Sequence, residues 1–447
     1  MSDIKTSVGI YTLGCKVNQY ESEAIAEKLE NNGLSVYHDR DDCGIYIVNT
    51  CTVTAESDRK CRQLIRRIVS SNPDARVIVT GCLAQTAPRE LSKIDGVDFV
   101  CGNTSKLAAA DAAIKFANER SSKSRGNCEF LVDDIFSAPF ESMSIKKFDR
   151  TRAYVKIEDG CENRCSYCII PAARGKVRSK APEDVVSEVK DLIDGGCREI
   201  VLTGIETASY GKDLEKCDLA ALLQMVDGLG CDRIRLGSLD PSLIKDSFVS
   251  RIAGLKSLTP HFHLSLQSGS DRVLAMMRRK YNSKMAMDAI ERLRAALPSV
   301  MFTTDVIVGF PGETEEDFAD TVNFMKRARF LSAHIFPYSK RAGTVAAEMD
   351  GQLSNEIKKR RSAELIAIQN DIKEELLTAE SLAKSEHDVL FETFSNGFAV
   401  GHTSSFIEVA VKSPAALHSE IRRVRVTSVD KSGKNLRLIG EIIEPER

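Results

Sequence analysis

The stretch Cys161-Glu162-Asn163-Arg164-Cys165-Ser166-Tyr167-Cys168 places three thiols within eight residues, directly after the apolar, strand-like run 153–157. Dense sets of thiolates are soft ligands that suit zinc or iron–sulfur clusters. A structural zinc site takes four nearby ligands, usually two C-x2-C pairs or a histidine partner, and neither follows at the expected distance. Three ligands suit a cubane cluster whose fourth iron stays open. The spacing therefore predicts an iron–sulfur site with a vacant position.

The C-x3-C-x-aromatic-C spacing, with Tyr167 as the aromatic residue, resembles the signature of radical S-adenosylmethionine enzymes. The surrounding residues, from Gly160 through Cys168-Ile169-Ile170-Pro171 to Arg174-Gly175, resemble the methylthiotransferase branch. The resemblance implies that Cys161, Cys165 and Cys168 hold a 4Fe–4S cluster that binds S-adenosylmethionine, with Tyr167 beside the cofactor. The alternatives are a chance group of cysteines or a zinc knuckle, and the latter lacks its remaining ligands.

Size and composition limit the class of protein. A chain of 447 residues suggests two to four domains, and 43% apolar with 28% charged residues is typical of a soluble globular protein. The net charge of −2 excludes a globally basic nucleic-acid coat but permits local basic patches. No run approaches the roughly 18 apolar residues of a membrane span, and the first residues lack a signal peptide's apolar region. Thirteen cysteines, an odd number, favour a reducing cytoplasm over a disulfide framework.

Residues 1–140 alternate apolar, strand-like runs with helical patterns. Continuous apolar runs of this kind indicate a parallel sheet that helices cover on both faces. An α/β, doubly wound domain is therefore predicted. Its strands are expected at 7–13, 45–49, 76–80 and 97–101, and its helices at 21–31 and 57–70.

A cysteine follows each of the first three predicted strands: Cys15, Cys51 and Cys82. Ligands of open α/β sheets gather outside the carboxyl ends of strands, so these three thiols could converge on one cluster. The alternative is that each is a small buried hydrophobe. That structural interpretation is given to the cysteines without regular placement, which are Cys43, Cys61, Cys101, Cys128, Cys197, Cys217 and Cys231.

The segments around these three cysteines resemble the amino-terminal domain of methylthiotransferases. In that family the matching cysteines hold a second 4Fe–4S cluster tied to sulfur delivery. By the same resemblance, Asn18, Asn49 and Gln85 would be neighbours of the cluster. The segments are Thr12-Leu13-Gly14-Cys15-Lys16-Val17-Asn18-Gln19, Asn49-Thr50-Cys51-Thr52-Val53-Thr54 and Gly81-Cys82-Leu83-Ala84-Gln85.

A polar connecting arm is predicted at about 120–148, with a domain boundary near 145. The second domain, 147–376, resumes the strand–helix alternation, and six βα units suggest a partial (βα)6 radical-SAM barrel that is open on one side. A third domain, 380–445, has short strands separated by turn signals. It resembles the TRAM domain, a small β-barrel that binds nucleic acid. The expected strands of the second domain are 154–158, 199–203, 233–238, 262–266, 301–308 and 333–337.

The ends of the barrel strands carry a predicted cofactor pocket. Gly204 permits close approach of a ligand, and Glu206 could pair with its ammonium group; the alternative for Glu206 is a helix-start carboxylate. After the fourth strand, polar side chains suit contacts to ribose or to a carboxylate, and His261 and His263 are expected to be structural. Asp305 precedes a turn that resembles the family's cofactor-lining segment. The alternative is that Asp305 serves only to cap that turn. The predicted cofactor-binding residues are Tyr167, Gly204, Glu206, Ser265, Gln267, Asp305 and Gly309.

RNA contacts are predicted from charge and from one aromatic ring. Arg174 and Arg178 belong to a short basic group that could face phosphates. In the third domain Phe406 could stack on a base while Arg422 and Arg423 contact phosphates. The alternative is that the third domain is a plain packing module.

The resemblance covers nearly the whole chain and is greatest to tRNA methylthiotransferases that act on N6-threonylcarbamoyladenosine at position 37, beside the anticodon. It implies insertion of a methylthio group at adenine C2, two 4Fe–4S clusters, S-adenosylmethionine, and an electron donor such as flavodoxin or ferredoxin. The sulfur source stays open. One alternative is a methylthiotransferase for isopentenyladenosine or for a ribosomal-protein aspartate. The other is a non-catalytic iron–sulfur electron carrier or an RNA-binding module.

Overall fold

The computed structural model describes residues 7–119, 128–148, 150–432 and 436–443. Its first sheet has six parallel strands in the order β2-β1-β3-β4-β5-β6. The strands are β1 (Ser7–Thr12), β2 (Ser35–His38), β3 (Ile45–Thr50), β4 (Arg76–Gly81), β5 (Phe99–Cys101) and β6 (Glu129–Leu131). The helices are α1 (Lys16–Asn31), α2 (Ala55–Ser71), α3 (Cys82–Thr86), α4 (Pro88–Leu91) and α5 (Ala108–Asn118).

Helices cover both faces of this sheet, as the continuous apolar strands require. Along β3, Tyr46 and Val48 pack into one apolar cluster, while Ile45 and Ile47 pack into another. Successive side chains of a strand point to opposite faces, so the two clusters are the two sides of the sheet. The predicted doubly wound architecture is confirmed.

The sequence analysis missed both edge strands. The residues of β2 are mostly exposed and those of β6 are all exposed, so neither shows the apolar run that marks the inner strands. The prediction of a connecting arm at 120–148 is therefore wrong for β6, which pairs in parallel with β5. The polar residues 120–127, on which that prediction rested, lie outside the described residues.

The second region forms an open, parallel barrel wall. Six principal strands run in the order β7-β10-β11 and β13-β14-β15, with the short β12 between β11 and β13. The strands are β7 (Arg152–Lys156), β10 (Glu199–Thr203), β11 (Arg233–Leu236), β12 (Ser238–Leu239), β13 (His261–Gln267), β14 (Met301–Val308) and β15 (Ser332–Pro337), and a separate antiparallel pair is β8 (Glu158–Asp159) with β9 (Arg178–Ser179). The predicted partial (βα)6 barrel is confirmed.

The barrel helices lie between these strands and begin at recognisable caps. Pro182 opens α7, as its sequence indicates, and Thr314 with Asp317 forms a capping box at α12. The helices are α6 (Ile170–Arg174), α7 (Pro182–Asp194), α8 (Leu219–Asp227), α9 (Asp246–Ile252), α10 (Asp271–Met276), α11 (Ser283–Ala296), α12 (Glu315–Ala328) and α13 (Asn355–Leu382), with single 3-10 turns at Thr207–Ser209, Pro241–Leu243 and Val345–Ala347. No helix in the described ranges is long and apolar enough to cross a membrane.

The last region is a small closed β-barrel, which confirms the predicted architecture. Its strand order is β16-β17-β18-β20-β19. Its core includes Leu377 from α13 and Leu331, the residue before β15. The closed barrel therefore packs directly against the open barrel. The strands are β16 (Glu386–Ser395), β17 (Phe398–Thr403), β18 (Glu408–Lys412), β19 (Ile421–Asp430) and β20 (Arg437–Ile442).

Phe406 does not offer its ring to an RNA base, so that prediction is wrong. The ring stacks on His261 and on His402, each with a centroid separation of 4.7 Å. The guanidinium of Arg235, on β11, lies 4.8 Å from the centroid of the same ring. His261 begins β13 and Arg235 belongs to β11, so Phe406 docks the closed barrel against strands of the open one.

Candidate active site

The structure brings together the three thiols of the first domain. Cys15, Cys51 and Cys82 stand where β1, β3 and β4 end. A Cβ added to Gly14, whose φ is +113°, would lie 3.2 Å from Cys51 Sγ, so the first two loops touch. Burial, with smaller contributions from Cys82 and Cys15, raises the pKa of Cys51 to about 12. Three neighbouring thiols, two of them buried, favour a positive group or metal that offsets their ionisation.

Arg174 supplies such a positive group. Its Nε donates to Cys82 Sγ at 3.2 Å and its Nη2 donates to Asn18 Oδ1 at 2.7 Å. The side chain is fully buried, and Arg178 is buried beside it, donating to the Arg174 carbonyl at 2.7 Å. The prediction that these two arginines contact RNA is therefore wrong, because neither reaches the surface.

A buried charge network joins the first domain to the open barrel. Glu21 on α1 pairs with Arg174 on α6, with Lys106 at 2.6 Å and with Lys156 on β7 at 3.2 Å. Burial alone would raise the pKa of Glu21, but the three cations outweigh it and hold that pKa well below its usual range. Asp159 accepts from Arg174 at 3.2 Å as well. The network thus fixes the two cysteine groups relative to each other.

Cys161, Cys165 and Cys168 follow β8 in the loop that precedes α6. Burial raises the pKa of both Cys161 and Cys168 to about 12, and Cys165 adds to the effect on each of them. Arg279 donates from Nη1 to Cys165 Sγ at 3.2 Å and from Nη2 to Asp240 at 2.9 Å. Two separate cysteine groups therefore each have one thiol held by an arginine.

The donor chemistry of both groups suits iron–sulfur clusters. Each offers three thiols and, in the described part of the chain, no three Cys, His, Asp or Glu side chains are close enough to ligate a single metal ion. A cubane takes its thiolates at separate iron corners, which a single zinc ion does not. Tyr167, within the second group, packs against Met277, Phe310 and Tyr338 rather than pointing to solvent.

Gly204 and Glu206 stand at the end of β10 around a buried carboxylate. A Cβ on Gly204 would lie 2.6 Å from Glu158 Oε2, so only glycine fits there. Glu158 Oε2 accepts from the Glu206 backbone N–H at 2.8 Å, and its fully buried Oε1 has no partner among the described residues. Burial, helped by Asp240, raises the pKa of Glu206 to about 7. Glu206 directly precedes the 3-10 turn 207–209, but its side chain accepts from Asn163 Nδ2 at 3.0 Å and does not cap that turn.

Asp305 lies between two histidines. It accepts from His263 Nε2 and from His334 Nδ1, each at 3.2 Å, and Thr303 Oγ1 bonds His263 Nδ1 at 3.0 Å. Burial opposes its ionisation, but the two imidazoles hold the pKa of Asp305 well below its usual range. Asp305 is therefore an ionised member of a chain of polar groups that crosses β13, β14 and β15, and not the cap of a turn.

A cavity of about 1180 Å³ separates the first domain from the open barrel. Cys15 and Cys51 line one side, and the opposite side has Gly204, His263 and Asp305. Cys15 is exposed to this cavity, although the walls around it are close enough for burial to raise its pKa. The cavity thus connects the first thiol group with the strand ends where a cofactor is expected.

Three predicted cofactor residues contact other parts of the protein. The Ser265 carbonyl accepts from Arg279 Nη2 at 3.1 Å. Gln267 adopts a φ of +68° at a register shift of β13. Gly309 has a φ of +73° and faces Lys358, whose Cγ would lie 2.4 Å from an added Cβ. None of the three is part of the described lining of the large cavity, so their place in a cofactor pocket stays a prediction.

The remaining predicted RNA residues lie on the surface. Arg422 and Arg423 are about half exposed and are each held by carboxylates, Arg422 by Glu420 and Arg423 by Glu386 and Asp388. The sequence analysis missed Arg279 and His334 and misassigned Arg174. No local pattern marks them, because their contacts include Glu21 for Arg174, Cys165 for Arg279 and Asp305 for His334, which are distant in the chain.

Two family models match the chain: the Radical SAM superfamily over residues 155–325 and the Uncharacterized protein family UPF0004 over residues 7–102. Among solved structures, the fold is similar to that of the radical S-adenosylmethionine methyltransferase TsrM from Kitasatospora setae. The TM-score is 0.54 at 16% identity, covering 74% of this chain and 72% of that one. The fold and the thiol group after β8 thus define a radical S-adenosylmethionine enzyme.

Curated relatives narrow the class. The threonylcarbamoyladenosine tRNA methylthiotransferase MtaB of Bacillus subtilis is 40% identical over 427 residues, or 94% of this chain and 93% of that protein. Its namesake in Thermotoga maritima is 38% identical over 96% of each chain. The tRNA-2-methylthio-N(6)-dimethylallyladenosine synthase of Carboxydothermus hydrogenoformans is 36% identical over 86% of this chain and 87% of that protein.

The chain belongs to the radical S-adenosylmethionine tRNA methylthiotransferase family. It is an enzyme that transfers a methylthio group, and it uses S-adenosylmethionine and 4Fe–4S clusters. Its substrate is tRNA. These statements confirm the class of enzyme, the cofactors and the RNA substrate that the sequence predicted.

Proposed function

We propose that this enzyme inserts a methylthio group at C2 of N6-threonylcarbamoyladenosine at position 37 of tRNA. The observation that carries the proposal is the cavity that joins the Cys15 and Cys51 loops to the barrel strand ends. Relatives named for this nucleoside match 94% and 96% of the chain, which supports the choice of substrate. A relative named for dimethylallyladenosine matches 86%.

The residues of the chain divide the task between two groups of thiols. Cys161, Cys165 and Cys168 would hold the cluster that binds S-adenosylmethionine, and Cys15, Cys51 and Cys82 would hold the second cluster. When bound, these groups supply the radical chemistry and the sulfur. The protein positions them through the network of Arg174 and Glu21, and residues of both domains line the cavity between them.

Several assignments follow from the same proposal. Gly204, Glu206 and Asp305 would contact S-adenosylmethionine, and Tyr167 would lie beside this cofactor. An electron donor such as flavodoxin or ferredoxin would approach the cluster of the open barrel. Arg422 and Arg423 would contact the phosphates of the tRNA. These contacts would help to hold the adenosine of the tRNA in the cavity. The segments 1–140, 147–376 and 380–445 would act as three domains, in the reducing cytoplasm.

The test is nucleoside analysis of tRNA by mass spectrometry. A bacterial host that lacks its own methylthiotransferases would express the chain, and the 2-methylthio derivatives of both adenosines would be measured. We expect 2-methylthio-N6-threonylcarbamoyladenosine to appear. Cys165→Ala should abolish it, and Cys128→Ala, on the partly buried cysteine before β6, should not. The appearance of 2-methylthio-dimethylallyladenosine alone would overturn the proposed substrate.

A further inference from the structure

The large cavity has an unusual distribution of charge. Its lining includes five lysines, of which Lys60 pairs with Glu56 at 3.9 Å and Lys358 lies 5.1 Å from the ring centroid of Tyr338. The acidic members are Glu56 and Asp305. Since Asp305 is held by two histidines and Glu56 by Arg59 as well, the wall of the cavity is cationic overall.

Among these lysines, Lys16 is the first residue of α1, beside the first thiol group. It follows Cys15 directly, and its charge interacts with Asp305 and Arg235 on the barrel strands. Within the described part of the chain its Nζ has neither a hydrogen bond nor an ion pair. Its side chain lines the cavity and is exposed to it. An ammonium group that lines a cavity and has no ion-pair partner among the described residues favours the arrival of an anion.

The proposed substrate carries such an anion close to its reacting carbon. The threonylcarbamoyl group on N6 ends in a carboxylate, and adenine C2 and C6, the carbon that bears N6, flank the same ring nitrogen. Any adenosine whose C2 faces the Cys15 loop must therefore place its N6 substituent within the same cavity. A dimethylallyl group at N6 is neutral and apolar, so it would cover the Lys16 ammonium group without pairing it, which is costly.

We propose that Lys16 is a specificity-determining residue that pairs with the carboxylate of the threonylcarbamoyl group. This inference rests on the proposed function. Lys16 attracts the carboxylate and disfavours apolar N6 substituents, because these would cover its ammonium group without pairing it. His263 and His334 each hydrogen-bond Asp305 at 3.2 Å, which limits the repulsion between that aspartate and the substrate carboxylate.

Binding to anticodon stem-loop RNAs tests the inference without turnover. The anaerobically reconstituted full chain would be titrated, at one fixed salt concentration, against RNAs with adenosine, N6-threonylcarbamoyladenosine, its methyl ester or dimethylallyladenosine at position 37. We expect the wild type to bind the free acid about tenfold or more tightly than the ester, the usual range for a charged hydrogen bond. Lys16→Met should abolish this preference, and Lys16→Arg should retain most of it.

Lys340→Met is the matched control, because Lys340 lines the same cavity and is also unpaired in the described residues. It should keep the preference for the free acid. Iron and sulfide content would show that Lys16→Met still loads the cluster beside Cys15. A preference that survives in Lys16→Met, or an equal loss of affinity for all four RNAs, would overturn the role of Lys16. A wild type that prefers dimethylallyladenosine would instead overturn the proposed function.

Discussion

Arg174 Nε donates to Cys82 Sγ at 3.2 Å, although Arg174 belongs to the open barrel and Cys82 to the first sheet. The same guanidinium pairs with Glu21 and Asp159. Both carboxylates are buried, Glu21 in the first domain and Asp159 in the open barrel. Among the described cations, Arg174 is the one that contacts both a thiol of the first domain and a carboxylate of each domain. One side chain therefore couples the position of the second cluster to the position of the first.

Replacing Arg174 by Met should destabilise the protein by about 3–5 kcal/mol, because Glu21 and Asp159 would stay buried with less compensation. Urea denaturation of the cluster-free protein would measure this loss. Lys176→Met, an exposed position two residues away, is the control and should change little. The double variant Arg174→Met/Glu21→Gln should lose less than the sum of the single variants. Strict additivity would show that the two side chains are not coupled.

Loss of the hydrogen bond from Arg174 to Cys82 should also make the second cluster harder to reduce. Hydrogen bonds to cluster sulfurs and nearby positive charge raise the reduction potential of an iron–sulfur centre. The measurement is a redox titration followed by electron paramagnetic resonance. Cys161→Ala/Cys165→Ala/Cys168→Ala would provide the background, so that one cluster alone is seen. With Arg174→Met added, the potential should become more negative. An unchanged potential would show that this contact does not tune the cluster.

The two thiol groups should each account for half of the iron. After anaerobic reconstitution the wild type should contain about eight irons per chain, and Cys15→Ala/Cys51→Ala/Cys82→Ala about four. Iron and acid-labile sulfide assays would measure both. Cys43→Ala/Cys61→Ala, which removes two buried thiols of the same domain, should keep the full content. About four irons in both the wild type and the triple variant would exclude a second cluster and with it the proposed sulfur insertion.

The sequence predicted the positions of the six thiols because they follow strand ends, which periodicity and spacing mark locally. It could not predict β2 and β6, since edge strands with exposed residues have no apolar run. Arg174 was misassigned for a related reason. Beside Lys176 and Arg178 it belongs to an apparently basic segment, and its burial depends on Glu21, which lies 153 residues earlier. Contacts between domains decide such side chains, and no local pattern records them.

Glu392 should make the docked C-terminal barrel sensitive to acid. Burial opposes its ionisation, but hydrogen bonds from His402 and Arg152 lower the pKa of Glu392 to about 2. A carboxyl whose folded pKa lies below its unfolded value stabilises the fold above the unfolded pKa, and that stability is lost as pH falls towards the folded pKa. The window here runs from the ordinary value of about 4.5 down to about 2.

Glu392→Gln should therefore cost roughly 3 kcal/mol at pH 7 and less than half of that at pH 3. Urea denaturation of the cluster-free protein at the two pH values would measure the difference. Glu441→Gln, at an exposed position on β20, should show no such dependence. A cost that is equal at both pH values would mean that the ion pair with Arg152 contributes nothing to docking.

Phe406→Ala should loosen the C-terminal barrel from the open barrel and leave direct RNA contacts intact. The ring is sandwiched between His261 and His402 and lies under Arg235. Because it is only partly buried, its removal should cost roughly 2 kcal/mol, less than a core phenylalanine. Thermal unfolding would record the loss, and faster hydrogen exchange in β11 and residues 402–407 would locate it. Phe394→Ala, on an exposed ring of the same barrel, should change neither. If Phe406→Ala instead weakened tRNA binding at fixed salt without changing stability or exchange, the ring would be an RNA contact after all.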